Sequence, residues 1–554
     1  MSEKRDVTFV GVVGAGVMGR GIAQIAAAAG YEVLLHDARP GATEEARADV
    51  VRQFARLAQK GKLTAEEASA AATRLRAATS LADFAVPCAS ASANGGRALV
   101  VEAIVENLDA KIALLRELEE LCGPEALLAT NTSSLAVSGI AAGLARPERV
   151  GGFHFFNPVP LMKVVEIIPG ARSHAWVADT LTIVAHRMGH TPVRAKDTPG
   201  FIVNHAGRGL GTEALRVVGE GVASFEEVDA ILRDGLGFRM GPFELLDLTG
   251  LDVSHPVMES IYRQFYEEPR FRPSPITAQR LAAGLLGRKS GEGFYRYEDG
   301  VKLVAAPSGS QVMHAPAPIL ASTPTSVHAA DDDDAGVARG AKIWLAPVPE
   351  DDLWNEPVAR WHQALAHLAR LAEVANLTVE TGGAPSPEAL CLVFPFGTDA
   401  TTACVERGLD PRCTMAVDAF CDPSRHRTLV RTPLTSPEMK RIARALLCAD
   451  GVGVSVTHDS AGAVAQRVVA TIVNIGADIC QQRIASPADV ELAVTLGLGY
   501  PKGPLALGDA FGARRILAVL EGLFAYYGDP RYRPSPWLKR RALLGVSLTT
   551  PENA

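Results

Sequence analysis

The sequence predicts a doubly wound α/β domain, an all-helical domain after it, and then a degenerate second copy of the same pair. Three observations carry that expectation. A glycine-rich turn sits between a strand and a helix near the start, the patterning changes from alternating to helical near residue 197, and three separated segments recur at nearly one spacing.

The turn is Val13-Gly14-Ala15-Gly16-Val17-Met18-Gly19. Val7 to Val13 before it are apolar and β-prone, and Arg20 to Ala29 after it read as a helix. That setting gives the glycines dinucleotide-binding tasks: Gly14 permits the tight turn, Gly16 lets backbone approach a pyrophosphate, and Gly19 lets helix pack close to strand. The helix start offers unpaired N–H groups to the phosphates, with Val17 and Met18 beside them. A second strand, Glu32 to His36, ends at Asp37, 18 residues beyond Gly19. An acid there accepts the ribose hydroxyls and repels a 2′-phosphate, so the expected cofactor is NAD in a Rossmann-like domain.

At 554 residues the chain is too long for one core. A net charge of −7 argues against a general nucleic-acid binder. No apolar run reaches the roughly 18 residues of a membrane span, and the charged Met1 to Asp6 leads straight into the first strand. The eight cysteines form no CxxC pair, and no histidine spacing completes a metal site, so no metal is expected. Scattered thiols suit a reducing cytoplasm.

Residues 1–195 alternate strand and helix patterns, with further strands at Ala98 to Ala103, Leu127 to Thr130 and Arg149 to Phe155. A helical insertion spans Gly41 to Arg76, and Thr64 with Glu67 reads as a capping box opening its second helix. Residues 196–300 are helical. Residues 301–340, rich in Ala, Pro and Ser and carrying Asp331 to Asp334, read as an exposed linker. Beyond it, 341–455 are expected to form a degenerate Rossmann-like domain and 456–554 a second helical domain. Residues 238–242 recur at 500–504, 269–275 at 530–536 and 197–200 at 459–462, offsets of 262, 261 and 262. One shared offset implies duplication. In the second half Leu345-Ala346-Pro347-Val348-Pro349 replaces the glycine turn. Proline donates no N–H to phosphate, so this half is expected to keep the fold without the nucleotide.

Four segments of the first half carry a reaction centre. Asn131-Thr132-Ser133-Ser134 follows a strand, where ligands bind in open α/β sheets. Phe153-His154-Phe155-Phe156-Asn157-Pro158 follows another, and Asp197 to Asn204 opens the helical domain. Val164-Val165-Glu166-Ile167-Ile168 places one carboxylate among apolar neighbours, which is costly without a partner. His154, 12 residues earlier, is the obvious one. Such a pair orients an imidazole to take an alcohol proton. Singly, His154 could be a core histidine, Glu166 a strand end, Ser133 a helix cap and Asn204 a polar helix residue. Together, beside a dinucleotide turn, they read as a catalytic cluster.

These segments, with Val101 to Asn107, Gly241 to Leu245 and Gly287 to Tyr295, resemble the L-3-hydroxyacyl-CoA dehydrogenases over residues 7 to about 297. The tandem copy resembles the longer bacterial forms, including those acting on 3-hydroxyadipyl-CoA in phenylacetate catabolism. The resemblance implies His154 as general base, Glu166 as its orienting partner, and Ser133, Asn157 and Asn204 around the substrate. Asp37 would hold the adenosine ribose, with Glu106, Lys111 and Asn131 flanking the cofactor. Lys60 and Lys62 of the insertion would help hold CoA. The reaction would be reversible oxidation of an (S)-3-hydroxyacyl-CoA to a 3-oxoacyl-CoA. Aligning Pro423 with Pro158 places Ala419 opposite His154, Arg431 opposite Glu166 and Gln466 opposite Asn204, so one active site per chain is expected. Single-copy relatives dimerise through the helical domain, so the resemblance implies a covalent pseudo-dimer, with a contribution of the second helical domain to acyl or CoA binding near the first site as the competing expectation; whether whole chains associate further is open. Two rival readings are a dehydrogenase of a free hydroxy acid and an NAD(H)-binding sensor or structural protein without turnover.

Overall fold

A computed structural model describes residues 5–303, 341–347, 355–372, 378–381 and 383–552. Residues 304–340 of the expected linker lie outside these, as do Val348 and Pro349. The chain divides into two units. One is Met1–Gly207 with Gly476–Ala506 and Thr549–Ala554; the other is Arg208–Ile475 with Leu507–Leu548.

The first unit is built on an eight-stranded sheet. Its strands are β1 (Val7–Val13), β2 (Glu32–His36), β3 (Leu75–Ala77), β4 (Arg97–Glu102), β5 (Leu127–Thr130), β6 (Val150–Phe155), β7 (Val164–Pro169) and β8 (Thr191–Arg194). The order is β3-β2-β1-β4-β5-β6-β7-β8. All neighbours are parallel except β6 and β7. The strands are near-continuous apolar runs because helices cover both faces. One core lies under the helices Val17–Ala28 and Ala175–Arg187, the other under Ala85–Ala93 and Leu108–Cys122. The chain turns to opposite sides of β1 for β2 and β4, so the carboxyl end of β1 opens a crevice, and the glycine turn sits there.

The insertion is a pair of helices, Ala42–Gln59 and Ala65–Arg74. The second opens on the expected capping box. Thr64 Oγ1 accepts from Glu67 N at 3.1 Å, and Glu67 Oε2 accepts from Thr64 N at 2.8 Å. The same unit contains the helix Pro487–Leu498, which packs on β7 and β8. Gly497 lies against Val203 and Val164 there, and a side chain on it would crowd Val203. Lys196 N donates to Ile484 O at 2.8 Å.

The second unit holds the helices Arg208–Gly219, Phe225–Ala230, Pro242–Thr249 and Leu251–Gln264, and a hairpin of β9 (Tyr297–Glu298) and β10 (Val301–Lys302). Its sheet has six strands among the described residues. They are β11 (Lys342–Leu345), β12 (Thr378–Thr381), β13 (Leu390–Val393), β14 (Thr414–Val417), β15 (His426–Arg431) and β16 (Gly453–Thr457), in the order β12-β11-β13-β14-β15-β16. One neighbouring pair, β14 and β15, is again antiparallel. A π-helical turn, Ile231–Gly235, packs on β15. His458 N donates to Val222 O at 2.8 Å. At the repeat spacing of 262 this bond is the counterpart of Lys196 to Ile484, in the other unit.

The repeat also shows in a shared clamp. Asp197 accepts from the N–H groups of Val137 and Ser138 at the start of one helix, at 2.8 and 2.6 Å. Asp459 accepts from those of Ala400 and Thr401 at 2.8 and 3.0 Å. Each fixes the segment after the last sheet strand to the helix after β5 or β13.

Candidate active site

The glycine turn has the form a dinucleotide needs. Gly14 has φ +107, and a Cβ on it would overlap the carbonyl of Ala103. A Cβ on Gly19 would overlap the carbonyl oxygen of Gly14. Gly16 faces open space, with nothing within 4 Å of where its Cβ would be. It is the N-cap of Val17–Ala28 and brings no side-chain hydrogen bond to the helix start. Backbone donors thus remain available for an anion. Val17 is 58% exposed beside them, and Met18 is half-buried. Asp37 stands at the same turn. Its Oδ2 accepts from Ala15 N at 2.7 Å and its Oδ1 from Arg39 N at 2.9 Å. The residues fit NAD.

Opposite lies the loop after β5. Glu106 Oε1 accepts from Thr132 Oγ1 at 2.7 Å, Ser133 N at 2.8 Å and Ser134 N at 2.9 Å. Burial works against its charge. The ammonium of Lys111 and these donors overcome that and hold its carboxyl down at about 2. Lys111 is itself buried, its ammonium 2.6 Å from Glu102 and 3.3 Å from Glu106. Glu102 also accepts from Ile104 N at 2.7 Å and Thr130 Oγ1 at 2.7 Å. Sequence reasoning gave Glu102 no role. The signal was present: like Glu166, it is a lone carboxylate in an apolar strand. Asn131 Oδ1 accepts from Phe155 N at 2.8 Å and ties this loop to the end of β6.

The antiparallel pairing of β6 with β7 sets His154 directly across from Glu166. His154 Nδ1 lies 2.6 Å from Glu166 Oε2. The other carboxylate oxygen accepts from Ile202 N at 2.9 Å and Val203 N at 2.8 Å. Glu166 is fully buried and His154 is 4% exposed. The carboxylate thus has the partner expected from the sequence, His154, and two backbone donors besides. Before the helix Val203–Ala206, Gly200 and Phe201 take φ values of +74 and +48, so the chain turns sharply between the Asp197 clamp and Glu166. The turn sets the Phe201 ring 5.8 Å from the imidazole and leads to Asn204. Asn204 Nδ2 lies 3.5 Å from Ser133 O. His154, Glu166, Ser133 and Asn204 thus come from one connected set of contacts.

Lys60, Lys62 and Asn157 fall elsewhere in the same unit. They line a cleft of about 1100 Å³ between the helix Val17–Ala28, the insertion and the 157–161 loop. Arg20, Lys163 and Arg187 also line it, against the single carboxylate of Asp49. Sequence reasoning missed these three cations because they are far apart in the chain.

The ladder corrects one alignment in the second half. His174 N donates to Glu148 O, and Ser436 N to Arg412 O. These matched bonds put β14 at an offset of 264 from β6, and β15 at 262 from β7. The counterpart of His154 is therefore Asp418, and that of Glu166 is Thr428, not Ala419 and Arg431. The proline pair used as an anchor lies beyond the strand, where the two loops differ in length. Asp418 N donates to Thr428 O, as the register requires. Asp418 Oδ2 accepts from Ala465 N at 2.9 Å. Gln466 stands opposite Asn204 as expected, bonded to Pro395 O and Gly397 N.

Comparison with known proteins gives the family. The profile of the 3-hydroxyacyl-CoA dehydrogenase NAD binding domain matches residues 9–198. That of the 3-hydroxyacyl-CoA dehydrogenase C-terminal domain matches 200–297 and again 462–549. The chain belongs to the 3-hydroxyacyl-CoA dehydrogenase family. It is an NAD-dependent oxidoreductase. It is 35% identical over 539 residues to the 3-hydroxyadipyl-CoA dehydrogenase of Escherichia coli K12, covering 97% of this chain and 98% of that one. It is 40% identical over 287 residues to a probable 3-hydroxybutyryl-CoA dehydrogenase of Deinococcus radiodurans, covering 52% of this chain and 99% of that one. The crystal structure of 3-hydroxybutyryl-CoA dehydrogenase from Escherichia coli K12 matches with a TM-score of 0.77 at 33% identity, over 97% of this chain and 99% of that one. Among the described residues no helix is long and apolar enough to cross a membrane.

Proposed function

We propose that this dehydrogenase oxidises (S)-3-hydroxyacyl-CoA to 3-oxoacyl-CoA, in fatty-acid or phenylacetate-type aromatic catabolism, with His154 as general base. The observation that carries the reading is the His154–Glu166 pair with the second Glu166 oxygen fixed by the helix start. A carboxylate held on both oxygens accepts a hydrogen bond from the imidazole Nδ1–H, which keeps that proton on Nδ1 and leaves Nε2 as an acceptor. Nε2 then takes the hydroxyl proton of the substrate while the C3 hydrogen leaves as hydride. NAD, when bound, accepts that hydride. Ser133 and Asn204 hold the 3-oxygen and the thioester. Asp37, Glu106, Lys111 and Asn131 shape the cofactor side. The basic cleft, with Lys60, Lys62 and Asn157, takes the phosphates and pantetheine of CoA.

We read residues 1–195 and 196–300 as the working pair of domains, and 341–455 and 456–554 as a degenerate pair completing an internal pseudo-dimer. The matched Lys196–Ile484 and His458–Val222 bonds support that reading. Eight free thiols suit a cytoplasmic location. The test is reduced-cofactor formation, followed by its ultraviolet absorbance, with 3-hydroxybutyryl-CoA, a longer ester, 3-hydroxyadipyl-CoA and free 3-hydroxybutyrate. Turnover of CoA esters alone, lost with His154→Ala and kept with Gln466→Ala, is expected. Equal turnover of the free acid would overturn the substrate assignment.

A further inference from the structure

The second unit contains a buried polar network whose parts come from both halves of the duplication. Glu213 and Arg467 are both fully buried. Arg467 Nε donates to Glu213 Oε1 at 2.8 Å, and Tyr532 Oη donates to the same oxygen at 2.7 Å. Arg531 Nε lies 3.4 Å from Glu213 Oε2. Arg467 Nη1 reaches Glu220 Oε2 at 2.7 Å, and Arg216 pairs with Asp529 at 2.5 Å. Burial opposes charge on Glu213, and Arg467 and Arg531 still hold its carboxyl below the usual range.

The repeat gives every member a counterpart, and those of Glu213, Arg467 and Tyr532 differ in kind, whereas Arg531 is matched by Arg270 and Asp529 by Glu268. At an offset of 262, Glu213 corresponds to Ile475 and Arg467 to His205. At 261, Tyr532 corresponds to Phe271. The acid is thus on the first copy, and the cation and phenol that answer it are on the second. Pairing two first copies would set Glu213 against His205 and Phe271 in place of Arg467 and Tyr532, so the buried carboxylate would lose both of its direct hydrogen bonds and keep Arg270, the counterpart of Arg531, as its one guanidinium. Pairing two second copies would set Arg467 and Tyr532 against Ile475, leaving a buried guanidinium without its acid. Buried charges stripped of partners are strongly unfavourable, whereas apolar replacements for both are tolerated.

We infer that the Glu213–Arg467–Tyr532 network makes the helical domains selective for each other, so that a first copy pairs with a second copy and not with another first copy. The inference rests on the pseudo-dimer reading above. It names what decides the pairing, with the second copy of this duplication as the only fitting partner.

The test uses the full chain with a protease site inserted within 304–340, cut to completion, and native mass spectrometry of the two pieces. Wild-type pieces are expected to stay together one to one. After mixing with isotope-labelled cut protein, they should exchange into unlike pairs alone. Glu213→Gln and Arg467→Met, made singly, should each weaken the pair at least tenfold. The double variant Glu213→Leu with Arg467→Met should restore association and admit pairs of like pieces. Wild-type pieces that separate would overturn the pseudo-dimer reading itself. Pieces that stay together but form like pairs in the wild type, or a double variant as strict as the wild type, would overturn the network's role and leave the pseudo-dimer standing. Should the double variant fail to fold, like pairs in the single variants alone would support the role, and strict unlike pairing in both would overturn it.

Discussion

The two sheets pose the same local problem and answer it with different chemistry. In each, an aspartate after the last sheet strand clamps the helix that follows β5 or β13, and a buried carboxylate caps the next helix. In the first sheet the cap comes from β7 as Glu166 and also holds His154. In the second it comes from the opposite strand as Asp418, and the residue facing it is Thr428. Phe394 and Phe396 fall where Asn131 and Ser133 stand, at an offset of 263 set by the paired clamps. The scaffold needs a carboxylate at that helix start, and either strand can supply it. The reaction needs the carboxylate on one strand and an imidazole on the other.

The sharpest way to break this comparison is to remove one base from each side. His154→Ala is expected to lower kcat by about 10² to 10⁴, the usual share of a general base, while Asp418→Asn leaves kcat unchanged. Steady-state rates with a CoA ester decide it, and an equal loss in both would mean that the second sheet takes part.

A smaller effect lies in stability. Burial pushes the Asp418 carboxyl up to about 6 despite the N–H groups of Phe420 and Ala465. A raised carboxyl binds its proton more tightly folded than unfolded. Its contribution is therefore full below the ordinary value of 3.8 and is lost as pH rises to about 6. The loss is roughly 3 kcal/mol by linkage. Denaturant melts across that window should show Asp418→Asn without this slope, and an unchanged slope would remove Asp418 as its source.

Gly16→Ala sharpens the contrast within the first sheet. The open space at Gly16 predicts little change in melting temperature with NAD affinity reduced tenfold or more. Gly19→Ala, which overlaps backbone, should instead destabilise the domain by about 1–3 kcal/mol. The smallest effect expected is on the cleft. Lys60→Ala with Lys62→Ala should raise KM for CoA esters about threefold to tenfold and leave kcat alone, as exposed charge contacts do.

Much of the fold was legible because a parallel sheet buries both faces. β1 and β2 have the bounds expected from the sequence, β6 starts one residue later, and β4 is shifted by one residue at both ends. The His154–Glu166 pair was legible because a lone acid in an apolar strand demands a partner. Its exact facing was not, because it depends on an antiparallel register. The displacement that put Ala419 in the place of Asp418 came from an anchor beyond the strand, where the two loops differ in length. Glu102 went unread because its partners Thr130 and Lys111 come from other elements. Glu213 was silent for a similar reason: its countercharge Arg467 lies 254 residues away.

The division of labour within Glu166 makes one conservative change unusually informative. Its two oxygens serve different clients, the helix start and the imidazole. In Glu166→Gln the amide oxygen can still cap Ile202 and Val203, but the amide nitrogen must then face Nδ1 as a donor. The ring answers by moving its proton to Nε2, the wrong tautomer for a base. The fold and its cofactor affinity would persist around an active site blocked by one misplaced hydrogen.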